Sequence, residues 1–297
     1  MYINYDHYRV FYYVAKYGSF TRAAEFLLNN QPNITRTIKN LERDLECTLF
    51  IRSNRGVRLT PEGEMLYAHI SAAMEHIAMG EEEISQGKGL QSGVVSIGAS
   101  EVALRCFLLP VLKEFRRAYP GIRIRIANHT TPQALSSLSR GLVDISMVTS
   151  PFDLTEELRA VEVKRFREIP LCGEGLAHLV KSPISLRDLQ QYPLICLAPK
   201  TKTYDFYLQF FAKHGLHLSP DIEAATADQL LPLIINDLGV GFVPEELAAE
   251  AIAEKRAFSL RLREEIPERS ICLLKNTTKP VSAAAKVLEK FILEKRA

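Results

Sequence analysis

No stretch of this 297-residue chain approaches the roughly 20 consecutive apolar residues that a membrane helix needs. Cysteine is sparse. Cys47, Cys106, Cys172, Cys196 and Cys272 are odd in number, widely spread and without a Cys-x-x-Cys pair, which argues against a disulfide scaffold or zinc ribbon and predicts reduced core thiols. Metal-binding histidine patterns are lacking too: there is no His-Glu-x-x-His, and His214 and His217 flank Gly215-Leu216 in what reads as a surface turn. With no Gly-x-Ser-x-Gly elbow, P-loop or dinucleotide fingerprint, neither an enzyme nor a cofactor is expected. Glycine and proline, 15 of each, are too few for collagen or low complexity. The start, Met1-Tyr2-Ile3-Asn4-Tyr5-Asp6, has neither a basic opening nor an apolar signal core, so export and membrane partners are not expected and a cytoplasmic location is. What remains is an ordinary globular composition, 47% apolar and 24% charged, long enough for two or three domains.

Charge is uneven along the chain. Residues 1–60 hold 9 Lys and Arg against 5 Asp and Glu, a net +4, while the whole chain is only +2. A basic first fifth is what contact with a polyanion through that segment alone would need. The same segment reads as short helices. Tyr8, Phe11, Tyr12 and Ala15 fall at helical spacing before Gly18, and Ser19 or Thr21 can cap a second helix that turns Ala23, Ala24 and Leu27 inward. Asn29-Asn30 makes a turn, and Pro32 suits the first turn of a third helix burying Ile34, Ile38, Leu41 and Leu45. That is a helix-turn-helix, followed by two short strands around a basic wing, Arg52-Ser53-Asn54-Arg55-Gly56.

Residues 61–87 form one long helical pattern. Leu66, Ile70, Ala73, Ile77, Gly80 and Ile84 make a narrow stripe that favours a partner helix over packing on its own domain. A Gly-rich hinge follows over residues 86–93. Residues 94–297 then alternate strand and helix. Strands are expected at 94–98, 122–126, 143–148, 194–197, 222–225, 240–243 and 270–274, with helices between them and a terminal helix over 281–295. The pattern predicts α/β architecture with largely parallel sheets, in two similar tandem units with a cleft between them.

Several motifs carry a resemblance. Gly18-Ser19-Phe20-Thr21-Arg22-Ala23-Ala24, Asn30-Gln31-Pro32-Asn33-Ile34-Thr35, Leu41-Glu42, Leu49-Phe50-Ile51-Arg52 and Leu59-Thr60-Pro61-Glu62-Gly63 resemble the LysR-type transcriptional regulators in order and spacing. Ser96-Ile97-Gly98, Leu108-Leu109-Pro110, Tyr119-Pro120, Gly141-Leu142-Val143-Asp144 and Gly239-Val240-Gly241-Phe242-Val243-Pro244 extend the likeness over nearly the whole chain. The chain departs from the family where Asn30 replaces Ser before Gln-Pro and Asn33-Ile34-Thr35 replaces Ala-Val-Ser after it. The stretch His178-Leu179-Val180-Lys181-Ser182-Pro183 is also shorter than usual. The resemblance implies an N-terminal winged helix-turn-helix (1–60), a linker helix and hinge (61–92), and an effector domain (93–297) of two Rossmann-like lobes, similar to a periplasmic binding protein. The lobes would span 93–165 with 265–297, and 166–264. Implied partners are double-stranded promoter DNA, a small-molecule effector, RNA polymerase and further copies of the chain, as a homodimer or homotetramer.

A recognition helix enters the major groove by its N-terminal end, which makes Gln31, Asn33 and Arg36 the base-edge candidates and lets Pro32 meet a thymine methyl. Ser19, Thr21, Thr35 and Lys39 are placed for phosphates, Arg22 joins the DNA-binding set, and Arg52 and Arg55 extend it on the wing. In the effector half, Ser100, Thr130, Thr131 and Thr149 follow strands of the first lobe, and Lys200, Thr201 and Thr226 follow strands of the second. Open α/β sheets bind ligands at such strand ends, and one cation among hydroxyls favours a small anionic metabolite. The rival readings are a redox-sensing regulator using Cys172 or Cys196, a plain small-molecule-binding protein, and an enzyme.

Overall fold

The computed structural model describes residues 4–53, 56–85 and 93–296, and the chain divides into two compact units, 1–87 and 88–297. The hinge expected over 86–93 lies almost wholly outside the described residues.

In the first unit, α1 (Tyr5–Tyr17) starts at Asn4, whose side chain accepts from the Asp6 amide, and stops at Gly18, whose φ of 58° is left-handed backbone that glycine adopts without strain. Of the two possible caps for α2 (Phe20–Phe26), Ser19 is the one used, accepting from the Arg22 amide. Asn30 caps α3 (Gln31–Asp44) through the Asn33 amide, and Pro32 sits in its first turn. Phe11, Val14, Ala23, Ile34, Ile38 and Leu41 meet in a closed core with Leu49 and Phe50. Strands β1 (Phe50–Ser53) and β2 (Gly56–Leu59) pair antiparallel, Phe50 opposite Leu59. Glu42 fixes the entry to them, since its Oε1 accepts from the Leu49 and Phe50 amides at 2.8 and 3.3 Å.

Helix α4 (Pro61–Ser85) leaves this core. Leu66, Tyr67 and Ile70 pack on it, whereas Ala73 and Ile77 are exposed. The expected stripe is therefore divided: its first turns belong to the head itself, its middle is uncovered, and the side chain of Ile84 lies outside the described residues.

The second unit holds two five-stranded sheets. In chain order come β3 (Gly93–Ala99), α5 (Glu101–Ala103), a π-helical turn (Leu104–Leu108), α6 (Leu109–Ala118), β4 (Ile122–Asn128), α7 (Thr131–Arg140), β5 (Ile145–Thr149) and β6 (Leu158–Phe166). Next come β7 (Glu168–Cys172), a 3-10 turn (Glu174–Lys181), α8 (Leu186–Leu189), β8 (Leu194–Leu197), α9 (Lys202–Lys213) and β9 (Ile222–Ala224). After a second 3-10 turn (Ala227–Gln229) the chain finishes with α10 (Leu230–Ile235), β10 (Val240–Pro244), α11 (Glu245–Ala253), β11 (Phe258–Ser259), β12 (Arg269–Asn276) and α12 (Ala283–Glu294). The sheet orders are β4-β3-β5-β12-β6 and β11-β7-β10-β8-β9. The chain passes from the first sheet to the second through Arg167 alone, and returns between β11 and β12.

Both sheets are mixed, which corrects the expectation of largely parallel ones. β3 pairs parallel with β4 and β5, and β8 with β9 and β10, but β12 runs antiparallel to β5 and β6, and β7 to β10 and β11. A strand entered directly from the other lobe, without a helical crossover, has no need to be parallel. The π-helical turn has a local cause. Pro110 has no N–H to return to the Cys106 carbonyl four residues earlier, and Lys164 Nζ donates to that carbonyl instead, at 3.1 Å.

Candidate functional site

In the first unit, the N-terminal end of α3 presents Gln31, Pro32 and Arg36 as exposed side chains, with Lys39 one turn further on. Gln31, Arg36 and Lys39 have no hydrogen-bond partner among the described residues. Asn33 is placed differently: half-buried, it donates from Nδ2 to Asn29 Oδ1 at 3.1 Å while its amide donates to Asn30 Oδ1 at 2.9 Å. Part of its side chain is thus spent holding the turn between α2 and α3. Thr21 and Arg22 are exposed; Ser19 and Thr35 are half-buried, the former as the α2 cap. Arg55 lies outside the described residues; Arg52 stands in β1, and its side chain lies outside them too.

In the second unit, a cavity of about 180 Å³ opens between the two sheets. Small apolar cavities of about that size admit a single aromatic ring, so a ligand of roughly ring size fits. The first lobe supplies Ser100, Thr130, Thr131 and Thr149 to its walls, and the second supplies Thr201, Thr203, Thr226 and Lys202. Six of the seven residues expected at the cleft therefore line it. Lys200 does not. It stands exposed at φ 77° one residue before Thr201, and the cation at the cavity is Lys202, held by Asp153 at 2.9 Å and Asp205 at 3.5 Å. Lys202 opens α9 rather than ending a strand, so reading strand ends alone points two residues too early.

Several of these hydroxyls are already committed. Thr201 Oγ1 accepts from the Tyr204 amide and donates to the Ala198 carbonyl, and Thr130 and Thr226 form capping boxes with Gln133 and Gln229. Two lining groups are not. Ser100 Oγ and His129 Nδ1 are buried with no hydrogen-bond partner among the described residues, a state that asks for an outside partner. Burial holds His129 below the usual imidazole range, so the ring is neutral at pH 7.

Next to this cavity lies a buried ion pair that the sequence reading missed. Arg269 Nη1 donates to Glu168 Oε2 at 3.0 Å, and both side chains are at least 97% buried. Nothing in the local sequence distinguishes Arg269 from its surface neighbours Arg261 and Arg263, because only the return crossover brings it to the cleft.

The four buried thiols are poorly placed for redox chemistry. Burial pushes Cys106 and Cys196 up to about 12, and Cys172 and Cys272 to about 11. Cys172 on β7 and Cys196 on β8 have β10 between them, so they are at least two strand spacings, about 9–10 Å, apart, beyond disulfide reach. Among the described residues, no group of three or more His, Cys, Asp and Glu is placed to hold a metal, and no helix is long and apolar enough to cross a membrane.

Comparison with known proteins agrees with both units. A family model described as bacterial regulatory helix-turn-helix protein, lysR family, matches residues 5–64. AlsR, an HTH-type transcriptional regulator of Bacillus subtilis (strain 168), is 28% identical over 244 residues, 80% of this chain and 79% of its own. The crystal structure of CbnR, a LysR family transcriptional regulator, shares the fold with a TM-score of 0.74 at 18% identity over 99% of both chains. Full-length CbnR complexed with its target DNA gives 0.58 at 19% identity, over 99% of this chain and 100% of that one. A second family model, the LysR substrate binding domain, matches residues 88–297, more than half the sequence, and the chain belongs to the LysR family of transcriptional regulators.

Proposed function

We propose that this protein binds promoter DNA sequence-specifically through α3, and that a small molecule in the cleft of the second unit adjusts that binding. The observation that carries the reading is the pairing, in one chain, of an exposed recognition-helix end with a hydroxyl-lined cavity between two lobes. Gln31 and Arg36 read base edges, each worth about 1–3 kcal/mol of discrimination. Pro32 meets a thymine methyl, and Asn33 offers the amide oxygen that the turn leaves unused. Ser19, Thr21, Arg22, Thr35 and Lys39 hold phosphates, with Arg52 and Arg55 on the wing, and these set orientation rather than sequence. Ser100, Thr131, Thr149, Thr226 and Lys202 contact the effector. An effector that fits one cleft geometry better than another shifts the chain toward that geometry. The uncovered middle of α4 takes a second copy, giving a dimer or, with a further interface, a tetramer, and the altered DNA complex acts on RNA polymerase in the cytoplasm.

The test is a fluorescence-anisotropy titration against DNA flanking the protein's own gene, at two salt concentrations, with Gln31→Ala and Arg36→Ala. The expected result is tight, salt-sensitive binding that each variant weakens by about tenfold or more, with preference over random DNA reduced. Variants that bind as the wild type does would remove α3 from the interface.

A further inference from the structure

Arg269 opens β12 where the chain returns from the second lobe to the first. A buried guanidinium at the edge of a cleft is ordinarily the group that would meet an anionic ligand. Here every one of its donors is already spent. Nε donates to the Ser150 carbonyl at 2.7 Å, and Nη1 to the two Glu168 oxygens at 3.1 and 3.0 Å. Nη2 donates to Thr149 Oγ1 and to Thr203 Oγ1, each at 3.1 Å. Those bonds use the full donor set of an arginine, and it has no other.

The cluster is assembled from both lobes. Thr149, Ser150 and Phe166 come from the first, and Glu168, Thr203, Phe206 and Tyr207 from the second. Phe166 and Phe206 cover the guanidinium with ring centroids 5.5 and 5.0 Å from its carbon. The Tyr207 hydroxyl donates to Glu168 at 2.8 Å, so the carboxylate is bonded on both sides. A buried ion pair is tolerable only when its remaining capacity is met in this way.

The consequence falls on the two threonines. Each hydroxyl accepts from Nη2, so its own proton must point elsewhere, and neither finds an acceptor among the described residues. Both threonines line the cavity. A hydroxyl that accepts from a cation is polarised to donate more strongly. Because both oxygens bond to one nitrogen, one acceptor group can take both protons. Unpartnered Ser100 Oγ lines the same cavity, and its residue's amide donates to the Met147 carbonyl on β5, the strand that ends in Thr149.

Resting on the reading of this cleft as the effector site, we infer that Arg269 is its positioning residue. Without touching the effector, it fixes the Thr149 and Thr203 hydroxyls, one from each lobe, as paired donors to a single oxyanion group of the ligand. An oxyanion takes both protons. A carboxamide of the same shape turns an N–H₂ toward one of the donors and is disfavoured.

The test uses the full chain and isothermal titration with succinate, benzoate and sulfate, against succinamide and benzamide. The expected result is that at least one oxyanion binds and, where it is a carboxylate, binds about tenfold or more tighter than its amide. Sulfate alone binding would identify a free inorganic oxyanion; succinate or benzoate alone would identify a carboxylate metabolite. Thr203→Val should weaken that probe about tenfold. The double variant Arg269→Met/Glu168→Leu removes both charges together, so that neither is left buried and unpaired, and its folding is checked by circular dichroism. It frees both hydroxyls to turn, so binding of the preferred oxyanion should fall about tenfold and any preference over the amide should vanish. Should the double variant not fold, Thr149→Val and Thr203→Val leave the ion pair in place and carry the test. The inference is overturned if no probe binds the wild type, if Thr203→Val binds as tightly, or if a folded double variant keeps the wild-type binding and preference. A probe that behaves as expected yet leaves promoter affinity unchanged would break the effector reading and leave the role of Arg269 standing.

Discussion

The two units keep their candidate functional side chains in opposite states. On α3, Gln31, Arg36 and Lys39 stand exposed with no partner among the described residues, so their capacity for hydrogen bonding is open to whatever docks there. In the cleft, Thr130, Thr201 and Thr226 are tied into caps, Lys202 is salt-bridged, and Arg269 is fully bonded. A surface that reads a large rigid duplex needs long side chains projecting from one helix, and the head need only hold that helix still. A pocket for a small molecule needs fixed donors in a dry space, and fixing them requires inward bonds. The difference lies in where rigidity is placed: in the turns of the head, and in the polar groups themselves in the cleft.

The largest effects should come from two glycines, one in each unit. A Cβ on Gly63 would stand 2.3 Å from the Leu49 carbonyl oxygen, where α4 crosses the entry to β1. A Cβ on Gly239 would stand 2.4 Å from the Pro193 carbonyl oxygen, at φ +150°. Backbone cannot yield as a side-chain tip does, so Gly63→Ala and Gly239→Ala should each cost about 3 kcal/mol or more. Urea unfolding followed by DNA-binding loss and by far-ultraviolet circular dichroism separates them. Gly63→Ala should shift only the transition that abolishes DNA binding, and Gly239→Ala only the remainder. A common shift in both would mean that the two units unfold as one.

A smaller effect concerns pH and belongs to the cleft alone. His129 is held below the ordinary imidazole range by burial. A base whose folded value is depressed binds fewer protons folded than unfolded once the pH drops under 6.5, so protonation favours the unfolded chain there. Stability of the second unit should therefore be insensitive to this group above pH 6.5 and fall progressively below it, down to the folded value. His129→Gln should flatten that slope. A wild-type slope unchanged by the substitution would place the acid sensitivity elsewhere.

The head was legible because its signals are local. Ser19, Asn30 and Pro32 cap and start helices within three residues of themselves, and Gly18 stops one, so the chain announces each boundary where it occurs. The cleft hydroxyls were legible for a related reason: strand ends bring Ser100, Thr130 and Thr149 to one rim, and the same rule serves the second lobe. Lys202 escaped because its place depends on the first turn of α9. Strands β6 and β7 escaped because β6 alternates imperfectly, with half-buried Ala160, Val161 and Glu162 in succession, and β7 carries Pro170 and Glu168. Proline demotes a strand in any local reading, and a glutamate suits a buried strand only once its partner is known. That partner, Arg269, is 101 residues away.

The smallest effect sharpens the contrast at the turn before α3. Leu28 is 95% exposed and holds φ at 50°, left-handed backbone that disfavours a leucine. Asparagine tolerates that conformation, so Leu28→Asn should stabilise the head by about 0.5–1 kcal/mol if the side chain does nothing. Nothing within the described residues covers this side chain, and an exposed leucine on strained backbone has no folding reason to be there. If it serves contact with DNA or another protein, the same substitution should raise the melting temperature and lower promoter affinity together. A rise in stability with unchanged affinity would leave Leu28 as unrelieved strain, and would confine the working surface of the head to α3 and the groups beside it.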